Sequence, residues 1–162
     1  MERVLRNKLI NGTFGSVSKT HSRRMGAIRG RGNLTTEARF RAMLVRAGVR
    51  GWSMQTKGIA GKPDFYFAEK PLAVFIDGCF WHGCPRCGHV PSVNRPFWKA
   101  KILRNQQRDR ATNESLSAIG IRAIRFWEHE LKDSRKACVQ RLLEALGANQ
   151  SRRPRLVRGL RG

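Results

Sequence analysis

Hydrophobic residues spaced three and four positions apart predict three helices. The first is capped by Thr35 or Thr36 and ends at Gly48. The second runs from position 94 or 95 to about 118, and the third from about 134 to 146. The apolar positions that mark the first and third helices are Phe40, Met43, Leu44, Ala47, Val139, Leu142, Leu143 and Leu146.

Runs of β-forming residues predict a sheet between and after these helices. Residues 72–76 are continuously apolar, which is typical of a strand buried on both faces. A strand with Asp64 at its start precedes it, and a turn at 69–71 makes the two an antiparallel hairpin. Residues 121–127 follow a long helical crossover, so this strand can lie parallel to 72–76. With an edge strand near 52–55, the pattern predicts an α/β fold in which helices flank a mixed sheet.

The charge of the chain favours a polyanionic partner. Lys and Arg number 33 against 11 Asp and Glu, which gives a net charge of +22. No apolar run approaches the ~20 residues of a membrane span, so nucleic acid is a better partner than a membrane. The polar stretch 104–110 of the second helix is interpreted as a solvated face. The first 25 residues lack the apolar segment of a signal peptide, and we expect a cytoplasmic protein.

Length and composition predict one folded domain between two basic ends. The chain has 162 residues, which suits a single domain. Residues 1–21 are expected to be a basic flexible arm, and 149–162, with five Arg and no acid, a basic disordered tail. The domain is assigned to 22–148. Within its basic start, Met25 is an apolar residue that can enter a base stack.

A cluster of metal-binding residue types follows the buried strand. Three cysteines lie within nine positions of one another: Cys79, Cys84 and Cys87. Such short spacings suit tetrahedral zinc, because thiolates on one tight loop converge on a single ion. We expect His129 to be the fourth ligand, since it follows the strand predicted to lie beside this loop. The alternatives are His89 and Cys138, although a buried thiol such as Cys138 needs no metal.

Carboxylates flank the same strand. Asp64 begins one strand of the hairpin and Asp77 ends the other, so both should lie at one edge of the sheet. Two convergent carboxylates can hold magnesium against a phosphate. Separately, each has a plainer explanation: Asp64 can cap a turn, and Asp77 can form an Asx-turn with the next glycine. Glu37, in the first turn of its helix, can simply interact with the helix dipole.

Several motifs together carry a family resemblance. They are Pro63-Asp64-Phe65, Phe75-Ile76-Asp77-Gly78-Cys79-Phe80-Trp81-His82-Gly83-Cys84-Pro85, Phe97-Trp98 with Lys101, Asn105, Arg108 and Asp109, and Phe126-Trp127-Glu128. On these motifs the sequence from about residue 22 to 146 resembles the very short patch repair (Vsr) endonucleases. The resemblance implies a restriction-endonuclease-like fold with a structural zinc site. It also implies nicking of one DNA strand 5′ to the T of a T:G mismatch left by deamination of 5-methylcytosine.

The resemblance assigns catalytic roles to individual residues. Asp64 matches the aspartate that binds magnesium, and the main-chain carbonyl of Ile76 would be a second ligand. His82 matches the histidine that activates the attacking water, although it can instead be read as a zinc ligand. Glu37 matches an acidic residue near the metal. Asp77 stands where the best-known member has a histidine proposed to assist the leaving group, so Asp77 can be a metal ligand instead.

The resemblance also implies an apolar wedge for the mismatch. Met25, Phe80 and Trp81 match the residues that enter the base stack, where unstacking costs least at a mismatched step. The alternative is that the two aromatic residues pack in the core around the zinc loop. Two zinc ligands are exchanged relative to the best-known member: Cys84 replaces a histidine and His129 a cysteine. The exchange preserves the ligand set.

The partners and the competing functions follow from the same resemblance. We expect a bacterial, nucleoid-associated monomer that binds double-stranded DNA. Mismatch-repair proteins are possible partners, and a cytosine-5 DNA methyltransferase is a functional link. The competing functions are a restriction-type endonuclease acting on matched DNA and a zinc-dependent DNA-binding module without catalysis.

Overall fold

The computed structural model of the chain describes residues 34–147. The predicted basic arm, Met25 and the basic tail lie outside these residues, so those expectations stay predictions. The described helices and strands, in chain order, are α1 (Leu34–Arg46), β1 (Trp52–Met54), β2 (Phe65–Phe67), β3 (Leu72–Asp77), α2 (Arg95–Ala118), β4 (Arg122–Trp127), α3 (Glu130–Asp133) and α4 (Arg135–Ala145).

The strands form one mixed sheet in the order β1-β2-β3-β4. Strands β1, β2 and β3 are antiparallel neighbours, and Phe65 is paired with Val74 across the hairpin. Strand β4 is parallel to β3, with Ile76 opposite Phe126. A parallel neighbour requires a long crossover, which α2 provides. The predicted hairpin, edge strand and parallel crossover are therefore confirmed.

Both faces of the sheet are covered. On one face, α1 and α4 pack over a core that contains Phe40, Phe65, Phe126 and Leu142, each at most 1% exposed. On the other face, Leu116 of α2 belongs to a smaller buried group with residues of β3. The sheet therefore lies between two helical layers, as the α/β prediction requires.

The polar middle of α2 corrects one interpretation. Arg104, Arg108 and Arg110 are exposed, but Asn105 and Gln106 are half-buried. Asn105 Nδ2 donates to a carbonyl of the 78–93 loop at 2.8 Å, and Gln106 Nε2 to another at 3.2 Å. The solvated-face interpretation was wrong for this side of the helix, because amide side chains can satisfy a loop backbone that lacks sheet partners.

Two further observations complete the fold. The short helix α3 had no sequence prediction, since four residues are too few to show a helical period. Its Leu131 is fully buried and ties the turn after β4 to the larger core. None of the described helices has both the length and the apolar character needed to cross a membrane.

Candidate functional site

The loop that follows β3 brings together four metal-binding side chains. Cys79, Cys84 and Cys87 belong to this loop, and His129 follows β4. One ligand atom from each residue lies within 4.8 Å of the other three. The parallel pairing of β3 with β4 explains the convergence, because both chain segments leave the same edge of the sheet.

Distances in this cluster suit a tetrahedral zinc ion. The Nδ1 atom of His129 lies 3.3 Å from Sγ of Cys79, 3.5 Å from that of Cys84 and 3.4 Å from that of Cys87. The Sγ atoms of Cys84 and Cys87 are 3.6 Å apart. Bonds of about 2.3 Å to sulfur and about 2.0 Å to nitrogen separate tetrahedral ligands by roughly 3.5 to 3.8 Å. The donor set therefore fits zinc in both chemistry and size.

The thiols of the cluster differ in acidity. Burial raises the pKa of Cys79 to about 12. Burial acts in the same direction on Cys84, but the backbone N–H groups of Cys87 and Arg86 outweigh it, so the pKa of Cys84 lies below its ordinary value. A bound cation must therefore displace the proton of Cys79, which makes cation affinity fall as the pH falls.

The proposed alternative zinc ligands lie elsewhere. Cys138 is 1% exposed in the larger hydrophobic core. His89 is exposed, and its ring faces Phe80 with 5.7 Å between centroids. His82 directs Nδ1 at a carboxylate and is not part of the four-residue cluster.

Next to the cluster lies a cavity of about 530 Å³ that contains the predicted catalytic carboxylates. Glu37 of α1, Asp64 directly before β2 and Asp77 at the end of β3 all line it. The Oδ2 atom of Asp64 accepts a hydrogen bond of 2.7 Å from the main-chain N–H of Ile76. Asp64 and Ile76 are thus adjacent at the sheet edge.

Helix α2 supplies a carboxylate, Asp109, that pairs with His82 in the cavity. The Nδ1 atom of His82 lies 2.5 Å from Oδ2 of Asp109. Burial raises the pKa of Asp109, but the hydrogen bond to His82 and the charge of Arg125 outweigh that effect and leave the pKa below its ordinary value. Asp109 is therefore ionised, so the hydrogen-bonded proton belongs to Nδ1 of His82. In the neutral imidazole with its proton on Nδ1, the other ring nitrogen, Nε2, is the atom that can accept a proton.

A half-buried arginine pairs with Asp77. The Nε and Nη2 atoms of Arg125 donate to the two carboxylate oxygens of Asp77 at 2.6 and 2.9 Å. Burial lowers the pKa of Arg125, but pairing with Asp77 and Asp109 outweighs it and raises the pKa. Asp77, which is 5% exposed, is thus a buried charge with a strong partner. The sequence expectation of a metal ligand or an Asx-turn did not include this partner.

An aromatic group is formed by rings of the loop and of the first turn of α2. Its rings belong to Phe80, Trp81, Phe97 and Trp98, with neighbouring centroids 5.0 to 6.1 Å apart. The Nζ atom of Lys101 lies 5.1 Å from the Trp81 centroid. Each ring is partly exposed and none belongs to the two hydrophobic cores. The aromatic group is therefore a surface feature beside the cavity.

Sequence reasoning missed the contribution of α2 to the site. Asp109 was part of the recognised motif but had no role, and Arg125 was not singled out. A signal for the first exists: polar residues recur at helical spacing in α2 as Asn105, Gln106, Asp109, Thr112 and Asn113. A polar stripe at the period of a buried helix face indicates a face turned toward a polar site. For Arg125 no such signal exists among 33 basic residues.

Comparison with known proteins identifies the family. The family model described as DNA mismatch endonuclease Vsr matches residues 17–87. The chain is 41% identical over 138 residues to the Type II nicking enzyme V.NaeI of Lentzea aerocolonigenes, with 82% of each chain covered. It is 33% identical over 129 residues to the DNA mismatch endonuclease Vsr of Escherichia coli strain K12, covering 78% of this chain and 81% of that protein. The chain therefore belongs to the Vsr family of DNA endonucleases.

Proposed function

We propose that the protein is a magnesium-dependent endonuclease that nicks one strand of duplex DNA 5′ to the T of a T:G mismatch. The observation that carries the proposal is the pair His82 and Asp109, held 2.5 Å apart in the cavity that also contains Asp64. A base oriented by a carboxylate, beside further carboxylates, is an arrangement suited to hydrolysis of a phosphodiester. The net charge of +22 supplies affinity for the backbone.

Magnesium would be held by oxygen ligands at the edge of the sheet. Asp64 and the main-chain carbonyl of Ile76 are the proposed ligands, with Glu37 nearby in the same cavity. Carboxylate and carbonyl oxygens are the donors that a hard cation prefers, so the residues fit the ion. When bound, magnesium stabilises negative charge on the phosphate.

The protein residues themselves handle the proton of the attacking water. Asp109 fixes the tautomer of His82 with the proton on Nδ1. Nε2 then accepts a proton from water, and the ionised Asp109 stabilises the imidazolium that results. The same contact fixes the orientation of the ring.

The aromatic group supports a role in mismatch specificity. Basic residues bind any duplex, so discrimination must come from base contacts or from deformation of the DNA. Phe80 and Trp81 present partly exposed rings beside the cavity, and Met25, outside the described residues, is proposed as the third wedge residue. The indole N–H of Trp81 is buried, and within the described residues no acceptor reaches it. A ring with an unsatisfied donor is a poor permanent core residue, which favours a functional position for Trp81.

A second candidate function is nicking at a recognition sequence in matched DNA. The observation in its favour is the relative named as a Type II nicking enzyme, at 41% identity. Both functions use the same hydrolytic residues and differ in the substrate. We further propose that the fold is related to that of restriction endonucleases. If the substrate is a T:G mismatch, we also propose a functional link to a cytosine-5 DNA methyltransferase, because deamination of the 5-methylcytosine that such an enzyme makes creates T:G.

The test compares oligonucleotide duplexes that differ only at one pair: T:G, T:A or C:G. We expect magnesium-dependent nicking of the T-containing strand in the T:G duplex alone. Asp64→Asn should abolish nicking, and Asp109→Asn should slow it by about 10²- to 10⁴-fold, since it removes the partner of the base. Glu114→Gln, the same change of charge at an exposed position of α2, is the matched control.

Three outcomes contradict the proposal. Equal nicking of T:G and matched duplexes would favour the second function. Undiminished nicking by Asp64→Asn would remove Asp64 from the site. Binding of duplex without nicking in magnesium, by zinc-loaded protein, would favour a DNA-binding module.

A further inference from the structure

The guanidinium of Arg125 contacts three polar side chains of the site, one at the end of β3 and two on α2. Besides its two hydrogen bonds to Asp77, its Nη2 atom lies 2.8 Å from Oδ1 of Asp109. Its Nη1 atom donates to Oδ1 of Asn113 at 3.2 Å. Asp77 ends β3, whereas Asp109 and Asn113 occupy successive turns of α2. The guanidinium therefore joins the sheet to the helix in the wall of the cavity, which Arg125, Asp77 and Asp109 all line.

The contacts around Arg125 suit a planar cation, arginine, better than a lysine. In the parallel register Arg125 is opposite Phe75, and the Cζ atom of Arg125 lies 4.7 Å from the Phe75 ring centroid. A guanidinium can stack on a ring and still donate in several directions within its plane. A lysine ammonium at this position would serve fewer oxygens and could not pair with Asp77 through two parallel hydrogen bonds.

His82 has two carboxylates within reach. Its Nδ1 atom is 2.5 Å from Oδ2 of Asp109 and 3.6 Å from Oδ1 of Asp77. Arg125 occupies both oxygens of Asp77 but a single oxygen of Asp109, Oδ1. The division leaves Oδ2 of Asp109 as the acceptor for His82. Without the guanidinium, Asp109 could rotate and Asp77 could compete for the same N–H.

We propose that Arg125 is a positioning residue of the nicking reaction, which fixes Asp109 behind His82 and keeps Asp77 away from it. In this arrangement Asp77 acts through Arg125 and does not act on the phosphate or the leaving oxygen. The expected effect of Arg125 on the nicking rate rests on the proposed function. Its expected effect on the hydrogen-bond partner of His82 does not depend on which substrate the protein cleaves.

The kinetic test separates catalysis from DNA binding. Arg125→Ala should lower the single-turnover nicking rate at saturating enzyme by about 30-fold or more, which is a part of the roughly 10²- to 10⁴-fold that a positioned general base contributes, and change the Kd for the duplex by less than about threefold. Arg125→Lys should recover little of the rate, because charge alone is insufficient. Arg122→Ala removes one cation from an exposed position of the same strand and is the matched control.

The double variant that combines Arg125→Ala with Asp77→Asn distinguishes two possible roles of Asp77. If Asp77 competes for His82 once Arg125 is gone, Asp77→Asn should raise the rate of Arg125→Ala. If Asp77 instead acts on the phosphate, Asp77→Asn should lower the rate further in the same background. The first outcome supports the inference and the second overturns it.

A spectroscopic readout keeps the inference testable without activity. The Nδ1 proton of His82, shared with Asp109, should give a low-field proton NMR signal that is absent from His82→Asn. We expect the signal to shift or disappear in Arg125→Ala, or in Arg125→Lys if the alanine variant does not fold, and to persist in Arg122→Ala. An unchanged signal, or a rate within twofold of the parent, overturns the inference. A parent that nicks no duplex contradicts the proposed function, and the signal alone then decides this inference.

Discussion

Cysteine is common both in metal sites and in hydrophobic cores, and the chain places cysteines in a potential metal-binding cluster and in its larger core. Cys79 lies with its Sγ atom 3.3 Å from Nδ1 of His129, whereas Cys138 is packed among apolar side chains. A thiol in an apolar environment behaves as a small hydrophobic group. A thiol near an imidazole and two further thiols offers a site for a cation.

This contrast gives a prediction for zinc content. His129→Ala should lose the bound zinc, because three ligands cannot complete a closed tetrahedral site. Cys138→Ala should keep one zinc per chain, at a stability cost of about 1 to 3 kcal/mol from the lost packing. Elemental analysis of the purified proteins is the measurement. Zinc retained by His129→Ala and lost from Cys138→Ala would reverse the assignment.

Individual residues differ in how far the sequence could predict them. The convergence of Cys79, Cys84 and Cys87 follows from their spacing, and Asp64 could be placed at a sheet edge from the hairpin pattern. The pairing of Arg125 with Asp77 depends on two strands meeting in a parallel register 48 residues apart. Local patterns carry no information about such a pair. A hydrogen-bond partner across a crossover is decided by the packing of the complete domain.

At the scale of the element, the 78–93 loop packs against α2 through a glycine. Gly83 has a left-handed φ of +65°. A Cβ atom at this position would lie 2.7 Å from side-chain atoms of Ile102 and Gln106. Gly83 therefore meets two requirements at once: a conformation that other residues adopt with strain, and close contact with a helix.

Replacement of this glycine should disturb the loop and the helix together. Gly83→Ala should lower the free energy of unfolding by about 2 to 4 kcal/mol, combining left-handed strain with overpacking, and should slow nicking because His82 is the preceding residue. Gly120→Ala is the control, since Gly120 also has a positive φ, +75°, but open space around it. It should cost about 1 to 2 kcal/mol through strain alone.

Thermal unfolding and nicking assays on both glycine variants provide the measurement. A stability loss in Gly120→Ala as large as that in Gly83→Ala would show that close packing against α2 contributes nothing. If Gly83→Ala nicked DNA as fast as the parent protein, the added methyl group would not disturb the position of His82.

The elements themselves were largely predictable, and the exceptions have physical causes. The predicted first helix, ending at Gly48, agrees with α1 to within about two residues, because apolar residues and a terminal glycine mark it. The predicted cap was wrong, since α1 begins at Leu34 and both Thr35 and Thr36 lie inside it. Helix α2 was placed correctly but its inner face was misjudged, since that face packs on a loop through amides and a carboxylate. Hydrophobic periodicity cannot report a polar interface.

For the whole molecule, binding strength and selectivity have separate origins. The net charge of +22 attracts every duplex, and this electrostatic contribution to affinity falls as the salt concentration rises. The aromatic group occupies one site beside the cavity and is the proposed source of selectivity, because a wedge of this kind costs less at a poorly stacked pair than at a well-stacked one. A change in one property should leave the other nearly intact.

Trp81→Ala tests this separation. We expect the preference for T:G over T:A to fall by about 5- to 150-fold, which corresponds to about 1 to 3 kcal/mol, while the salt dependence of duplex binding stays unchanged. Ile119→Ala, at an exposed apolar residue directly after the end of α2, is the control. Nicking ratios on paired oligonucleotides and binding at several salt concentrations provide the data. A folded, zinc-loaded Trp81→Ala protein with the parental preference would exclude Trp81 as a wedge.

The order of residues along the metal-binding loop has a consequence for chain entropy. His82 lies between Cys79 and Cys84, whose sulfur atoms both approach the same imidazole nitrogen of His129. A cation bound by these two cysteines would close a loop of about five residues around His82, the proposed base, and would reduce the conformational freedom of that loop by on the order of 1 to 2 kcal/mol. The zinc site would thus help to fix the base in place by chain connectivity, without contact between the ion and DNA.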